Sequence, residues 1–188
     1  MRFAYYERLS RKEQAVYRKS DAFVDVAFPN PRDLRVLVPD IERALAADDR
    51  KALQAATRAL VDAMLLQLQA PPVKTKVLAV RPGDDGGELH GLYEAVEGET
   101  PELKVWMRTH AKKKPVAKKS FVRTVVHEVC HHLDYFVFDI DPSFHTSGFF
   151  RREAALSRQL LRDPSESLAP RASPRRRCHA QRVHARRP

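Results

Sequence analysis

Cysteine is almost absent from this chain: of 188 residues only Cys130 and Cys178 are cysteine, and no C-x-x-C pair occurs. That excludes a disulfide framework and a zinc ribbon, and it suits a reducing compartment. Long apolar runs are missing too. No stretch approaches the roughly 18 apolar residues of a membrane span, and Met1 to Gln14 is charged and lacks the apolar core of a secretory signal. A cytoplasmic protein without a membrane partner is expected. Acidic charge is also scarce in two places. Residues 164–188 hold seven arginines against Glu166 alone, which gives +6 and leaves +4 of the total +10 on residues 1–163. The segment Ala111 to Arg123 carries Lys112, Lys113, Lys114, Lys118, Lys119 and Arg123 with no acid among them. Such runs grip phosphate backbones in some proteins and are solvated surface in more of them.

The length suits one domain with a sizeable core plus a tail. The division is expected at 1–163 for the domain and 164–188 for the tail, whose Pro, Ser, Ala and Arg lack hydrophobic periodicity and predict disorder. Cys178, His179 and His184 in that tail have no fourth ligand nearby and predict no second metal site.

Among what is present, one stretch dominates. Val125 to Asp134 contains H-E-x-x-H as His127, Glu128 and His131. Phe121, Val122, Val125, Val126, Val129, Leu133, Phe136 and Val137 recur at three- and four-residue steps, so 119–137 reads as an amphipathic helix. On a helix, residues four apart lie about 40° apart on one face, so the two imidazoles can converge on one ion. Glu128 stands beside them, as a base for a water activated there requires. His132 points about 100° away and reads as a supporting or surface histidine, and Cys130 as packing. Asp134 shares the face of His127 and His131, where it can accept the free N–H of a ligating imidazole.

A catalytic zinc takes three protein ligands, so a third is needed. The short H-x-x-G-x-x-H continuation is excluded, because positions 134 and 137 are Asp and Val. The next histidine, His145, follows the turn-forming Asp139 to Ser143 and precedes an amphipathic helix over 149–161. It is the expected third ligand on reach and ligand type, with Glu153 as the alternative ligand or a supporting carboxylate. Tyr93, His110 and Tyr135 are candidates for a donor to an oxyanion.

Elsewhere, Ser10 and Glu13 have capping-box spacing for a helix over 11–23; Asp40 is a candidate cap for a short helix to Ala46, and Asp48 or Asp49 for a longer one ending before Pro71. Val73–Val80, Leu89–Val96 and Leu103–Thr109 read as strands, the last two as a hairpin, with a turn at 83–87. The expected class is α+β, with a sheet of about three strands inserted between helices.

H-E-x-x-H followed after a dozen or so residues by His145-Thr146-Ser147-Gly148-Phe149 resembles the SprT-like zincin metallopeptidases, the group that includes the Spartan proteases. The likeness covers about 103–161. It departs from the family pattern at Thr146, where glycine is common, and in lacking a zinc ribbon. The resemblance implies a minimal zincin-like fold in which the small sheet packs against the H-E-x-x-H helix, and the strand before that helix (103–108) is a sheet edge lining the cleft. It also implies Zn²⁺ on His127, His131 and His145, Glu128 as catalytic acid/base, and a protein or peptide substrate. Cleavage of proteins on DNA, associated with that group, would suit the basic loop and tail. The alternative reading is a nucleic-acid-binding protein with a structural or vestigial zinc site.

Overall fold

Of the eight apolar positions of the 119–137 repeat, Phe121, Val122, Val125, Val126, Val129 and Leu133 are buried, while Phe136 and Val137 at its end are exposed; the helix runs Lys118–Phe136. A computed structural model describes residues 3–23, 25–84 and 87–161, so the tail lies outside the described residues. In chain order the elements are α1 (Arg11–Ala22), α2 (Pro31–Arg35), α3 (Val38–Ala46), α4 (Arg50–Gln67), β1 (Lys74–Val80), β2 (Gly83–Asp84), β3 (Gly87–Glu88), β4 (Gly91–Glu94), β5 (Glu102–Arg108), α5 (Lys118–Phe136) and α6 (Ser147–Leu161). The class is α+β, as the mixed periodicities predict: a three-stranded sheet packed against helices.

Local chemistry explains the helix starts. Ser10 Oγ accepts from Glu13 N while the Glu13 carboxylate accepts from Ser10 N, the reciprocal box read from the spacing. Asp49 rather than Asp48 caps α4, accepting from the backbone N–H groups of Lys51 and Ala52 at 2.9 and 3.0 Å. Asp40 does not cap: α3 starts at Val38 with Pro39 in its first turn, and Asp40 pairs instead with Arg43 one turn on. Of the six residues of the basic run, Lys118 and Lys119 open α5 and Arg123 lies within it, so the helix starts one residue before the expected 119.

Sheet order is β1-β5-β4, with β1 parallel and β4 antiparallel to β5. The hairpin of the last two strands is therefore present, but the edge expectation is overturned. The strand at 103–108 is the centre of the sheet, because β1 pairs along its other side from Lys74↔Glu102 to Val80↔Arg108. Its burial fits that position: Leu103, Val105, Trp106 and Met107 are all buried. The edges are β1 and β4. The outer edge of β1 is covered by α4, where Gln54 donates to Thr75 O at 2.9 Å and accepts from Val77 N at 2.7 Å, and Arg50 donates to Val77 O at 3.1 Å. The segment read as a turn at 83–87 includes a two-residue ladder, β2 with β3.

α5 packs against α6 and against β4 and β5; α6 also meets α1 and α2. Gly148 permits the α1 contact, since a Cβ there would lie 2.2 Å from Ser20 O. Thr146 starts α6 by accepting from Phe149 N at 3.0 Å, and its hydroxyl lies 3.0 Å from Ser20 Oγ. The hydroxyl at the position where the resembled family favours glycine thus caps a helix and touches α1.

Candidate metal centre

His127 and His131 leave one face of α5 and meet His145 from the segment between α5 and α6. His145 Nε2 stands 3.0 Å from His127 Nε2 and 3.0 Å from His131 Nε2. The three ligand atoms lie within 4.8 Å of one another, close enough to hold one metal ion. Glu153 is not in that group; its Oε2 lies 3.2 Å from His127 Nδ1, behind the ring.

The outer ring nitrogens assign the tautomers. Ser143 Oγ donates to Asp134 Oδ2 at 2.8 Å, so it accepts from His131 Nδ1, also at 2.8 Å. The Glu153 carboxylate likewise accepts from His127 Nδ1. Both imidazoles therefore carry their proton on Nδ1 and turn an Nε2 lone pair toward His145. Two lone pairs facing a third nitrogen cannot all be satisfied by one bridging proton, and a cation satisfies them together. The 3.0 Å separations are near the about 3.3 Å implied by tetrahedral ligation at about 2.0–2.1 Å. The residues fit the ion.

Electrostatics favour ligating forms. Burial, then the neighbouring His127, His145 and Arg152, pushes His131 down to about 3, so it is a neutral imidazole at physiological pH. Burial also lowers His145, with His127 adding and Glu153 opposing. Glu128 is 4% exposed, and burial pushes its carboxyl up to about 7, with His127 opposing and Glu153 adding.

Glu128 owes its position to a glycine. A Cβ on Gly91, the first residue of β4, would fall 2.1 Å from Glu128 Oε1 and 2.8 Å from its Cγ. The carboxylate is laid directly against the β4 backbone. Glu88 to Gly91 form one wall of a cleft of about 490 Å³, and Ser120, Arg123, Thr124, His127 and Glu128 of α5 form another, with His145 and Glu153 completing it. A larger groove of about 660 Å³ runs along α4 and β1, away from the histidines, and has no ligating cluster.

Asp134 was expected to hold a ligand imidazole directly. It does so through Ser143, and its other oxygen accepts from Arg152 Nη2 at 2.8 Å. Both charged groups are buried, at 0% and 1% exposure. Burial raises the Asp134 carboxyl, with Arg152 and Ser143 opposing. Arg152 also donates to Ser20 O at 2.7 Å, to Ser20 Oγ at 3.1 Å and to Phe23 O, tying α1 to the site.

Of the oxyanion candidates, Tyr93 is committed elsewhere. His132 Nε2 donates to Pro71 O at 2.8 Å, so its Nδ1 accepts the only proton of the Tyr93 hydroxyl, 2.9 Å away. His110 and Tyr135 do not line the cleft; His110 Nδ1 instead donates to Arg81 O at 3.2 Å. His90 does line it and was missed in the sequence, where an isolated histidine in a turn region gives no signal. Cys130 is buried, and burial drives its thiol pKa up, so it is packing. No helix among the described residues is long and apolar enough to cross a membrane.

Comparison of the chain with protein-family models, with curated proteins and with solved structures finds no match.

Proposed function

We propose that the chain is a zinc-dependent metallopeptidase, similar in its site to the SprT-like zincins. The observation that carries this reading is the convergence of three Nε2 atoms beside a buried glutamate that is wedged against a strand at the edge of the sheet. His127, His131 and His145 would hold the ion, with Glu153 and Ser143 fixing the first two rings. Bound there, zinc would supply Lewis-acid polarisation of the scissile carbonyl and would acidify a water.

The remaining steps belong to the chain's own residues. Glu128 takes the proton of the attacking water and later passes it to the departing amine. Its burial beside Gly91 restricts that carboxylate to the end of the cleft next to the imidazoles. An extended peptide lies along β4, not along the strand at 103–108, because β4 is the sheet edge that borders the cleft. His90 lines the cleft, as Tyr93, His110 and Tyr135 do not, and is our candidate for the oxyanion donor.

Glu128→Gln tests the reading. Metal content, measured by atomic absorption, should stay at one ion per chain while peptide cleavage falls at least about 100-fold; undiminished cleavage in that variant would sink the mechanism.

A second reading, nucleic-acid binding with a structural or vestigial zinc, draws on the exposure of Lys112, Lys113, Lys114 and Lys119. Lys118 does not join them, because it pairs with Glu42 at 2.8 Å. Filter binding at two salt concentrations, with and without residues 164–188, tests it: no salt-dependent retention by either form removes it.

A further inference from the structure

The cleft is lined by one arginine whose guanidinium makes no hydrogen bond among the described residues. Arg123 lies on α5 one turn before His127, and its side chain is 55% exposed. It pairs with Glu153 Oε1 at 3.7 Å, too long for a hydrogen bond, while the other oxygen of that carboxylate accepts from His127. Glu88, across the cleft, is likewise spoken for: it accepts from the backbone N–H groups of His110 and Ala111 at 3.0 and 3.2 Å and from Arg81 at 3.3 Å. Arg123 therefore lines the substrate volume with a loose ion pair to Glu153 and no hydrogen bond of its guanidinium among the described residues.

Lys119 lies one helical turn before Arg123 on α5. Glu88 also ties His110 and Ala111, at the base of the segment 111–114, to the cleft wall, and Lys112, Lys113 and Lys114 of that segment are exposed. Lys119 is exposed beside Ser120, which lines the cleft. We infer that this site selects acidic peptides, with Arg123 binding a substrate carboxylate within about two residues of the scissile bond; the inference rests on the peptidase reading above. The reach follows from geometry: four helical residues span about 6 Å, and an extended peptide advances about 3.3 Å per residue. A carboxylate fits a planar guanidinium in a bidentate manner, which a lysine cannot offer. A duplex, about 20 Å across, cannot fill a cleft of about 490 Å³, whereas an extended peptide can, so a peptide is favoured over nucleic acid as the anion within the cleft.

The test is a digest of a synthetic peptide library by the full-length, zinc-supplemented protein, with cut bonds identified by mass spectrometry. A partly exposed ion pair predicts that Asp and Glu exceed Asn and Gln by about fivefold within two residues of the cut, falling toward parity at about 0.5 M salt. Arg123→Gln should erase the preference, and Arg123→Glu should turn it toward Lys and Arg. Cuts without acidic enrichment, or an enrichment that survives Arg123→Glu, overturn the inference.

If no bond is cut, the peptidase reading has failed and binding decides the inference separately. Fluorescence anisotropy with the Glu128→Gln protein should rank Glu-containing over Gln-containing peptides by about the same factor. A ranking lost in Arg123→Glu supports the inference, and no ranking overturns it. Displacement of every peptide alike by a 20-base-pair DNA would assign the cations to nucleic acid and also overturn it.

Discussion

Arg152→Met removes a charge that the fold has enclosed completely. The guanidinium is 1% exposed and its partner Asp134 is 0% exposed. It donates to Asp134 at 2.8 Å, to Ser20 O at 2.7 Å, to Ser20 Oγ at 3.1 Å and to Phe23 O, and it lies 5.7 and 5.8 Å from the ring centres of Phe138 and Phe149. Methionine fills most of the space between those rings but leaves a carboxylate and two carbonyls without their donor. Breaking a buried pair from one side costs about 3–5 kcal/mol, a large part of the about 5–15 kcal/mol that holds a domain. With a urea m-value of about 2 kcal/mol/M, the midpoint should fall by about 1.5–2.5 M. Asp134→Leu should cost a similar amount, because it leaves the cation unpaired. The double variant should be far less damaged than the two single losses added together. A second readout separates position from stability. Asp134 holds Ser143, and Ser143 holds His131, so below the unfolding transition Arg152→Met should weaken zinc binding about tenfold in a chelator competition. A midpoint shift under 0.5 M, or strict additivity in the cycle, would refute the reasoning.

The site makes further expectations concrete. Gly91→Ala should leave the melting temperature and zinc content near wild type while cutting turnover about tenfold or more, since the new methyl displaces the Glu128 carboxylate from 2.1 Å away; unchanged kcat would show that the contact relaxes at no cost. His145→Ala should lose zinc affinity by at least about 100-fold, whereas Glu153→Gln should lose about tenfold, because only the first removes a nitrogen from the cluster. A reversed order in competition with a fluorescent chelator would place the carboxylate on the metal. Ser143→Ala should weaken zinc about tenfold with a stability change of under about 1.5 kcal/mol, and a threonine at that position should restore most of the affinity.

What the sequence reveals here is what depends on neighbours within a turn or two. Ser10 with Glu13 makes its cap across three residues, and the apolar spacing of α5 follows from the same 3.6-residue repeat that brings His127 and His131 to one face. His145 is legible because it is the one histidine between α5 and the next apolar repeat. The network behind those ligands is not legible, because its members are far apart: Arg152 meets Asp134 across 18 residues and Ser20 across 132. Nothing in the local pattern around Ser20 marks it as a partner of a buried arginine. Sheet order was misjudged for a related reason. A hairpin between β4 and β5 is a local reading, but whether β1 adds to the far side of β5 depends on a parallel crossover that alternation cannot report.

Moving the edge from β5 to β4 changes what the short strand is for. In the centre of the sheet, β5 gives both its backbone sides to neighbours and buries Leu103, Val105 and Met107 in the core. It can anchor the sheet beneath α5 but has no side free for a substrate. Of the two edges, β1 is occupied by Gln54 and Arg50 of α4, which bond Thr75 O, Val77 N and Val77 O. That leaves β4, and β4 begins at the glycine against which Glu128 is laid. The small residue at position 91 and the open strand that the proposed peptidase needs beside the imidazoles thus fall on the same four residues. A side chain at Gly91 would act on both at once, disturbing the carboxylate from one direction and the approach of an extended chain from the other.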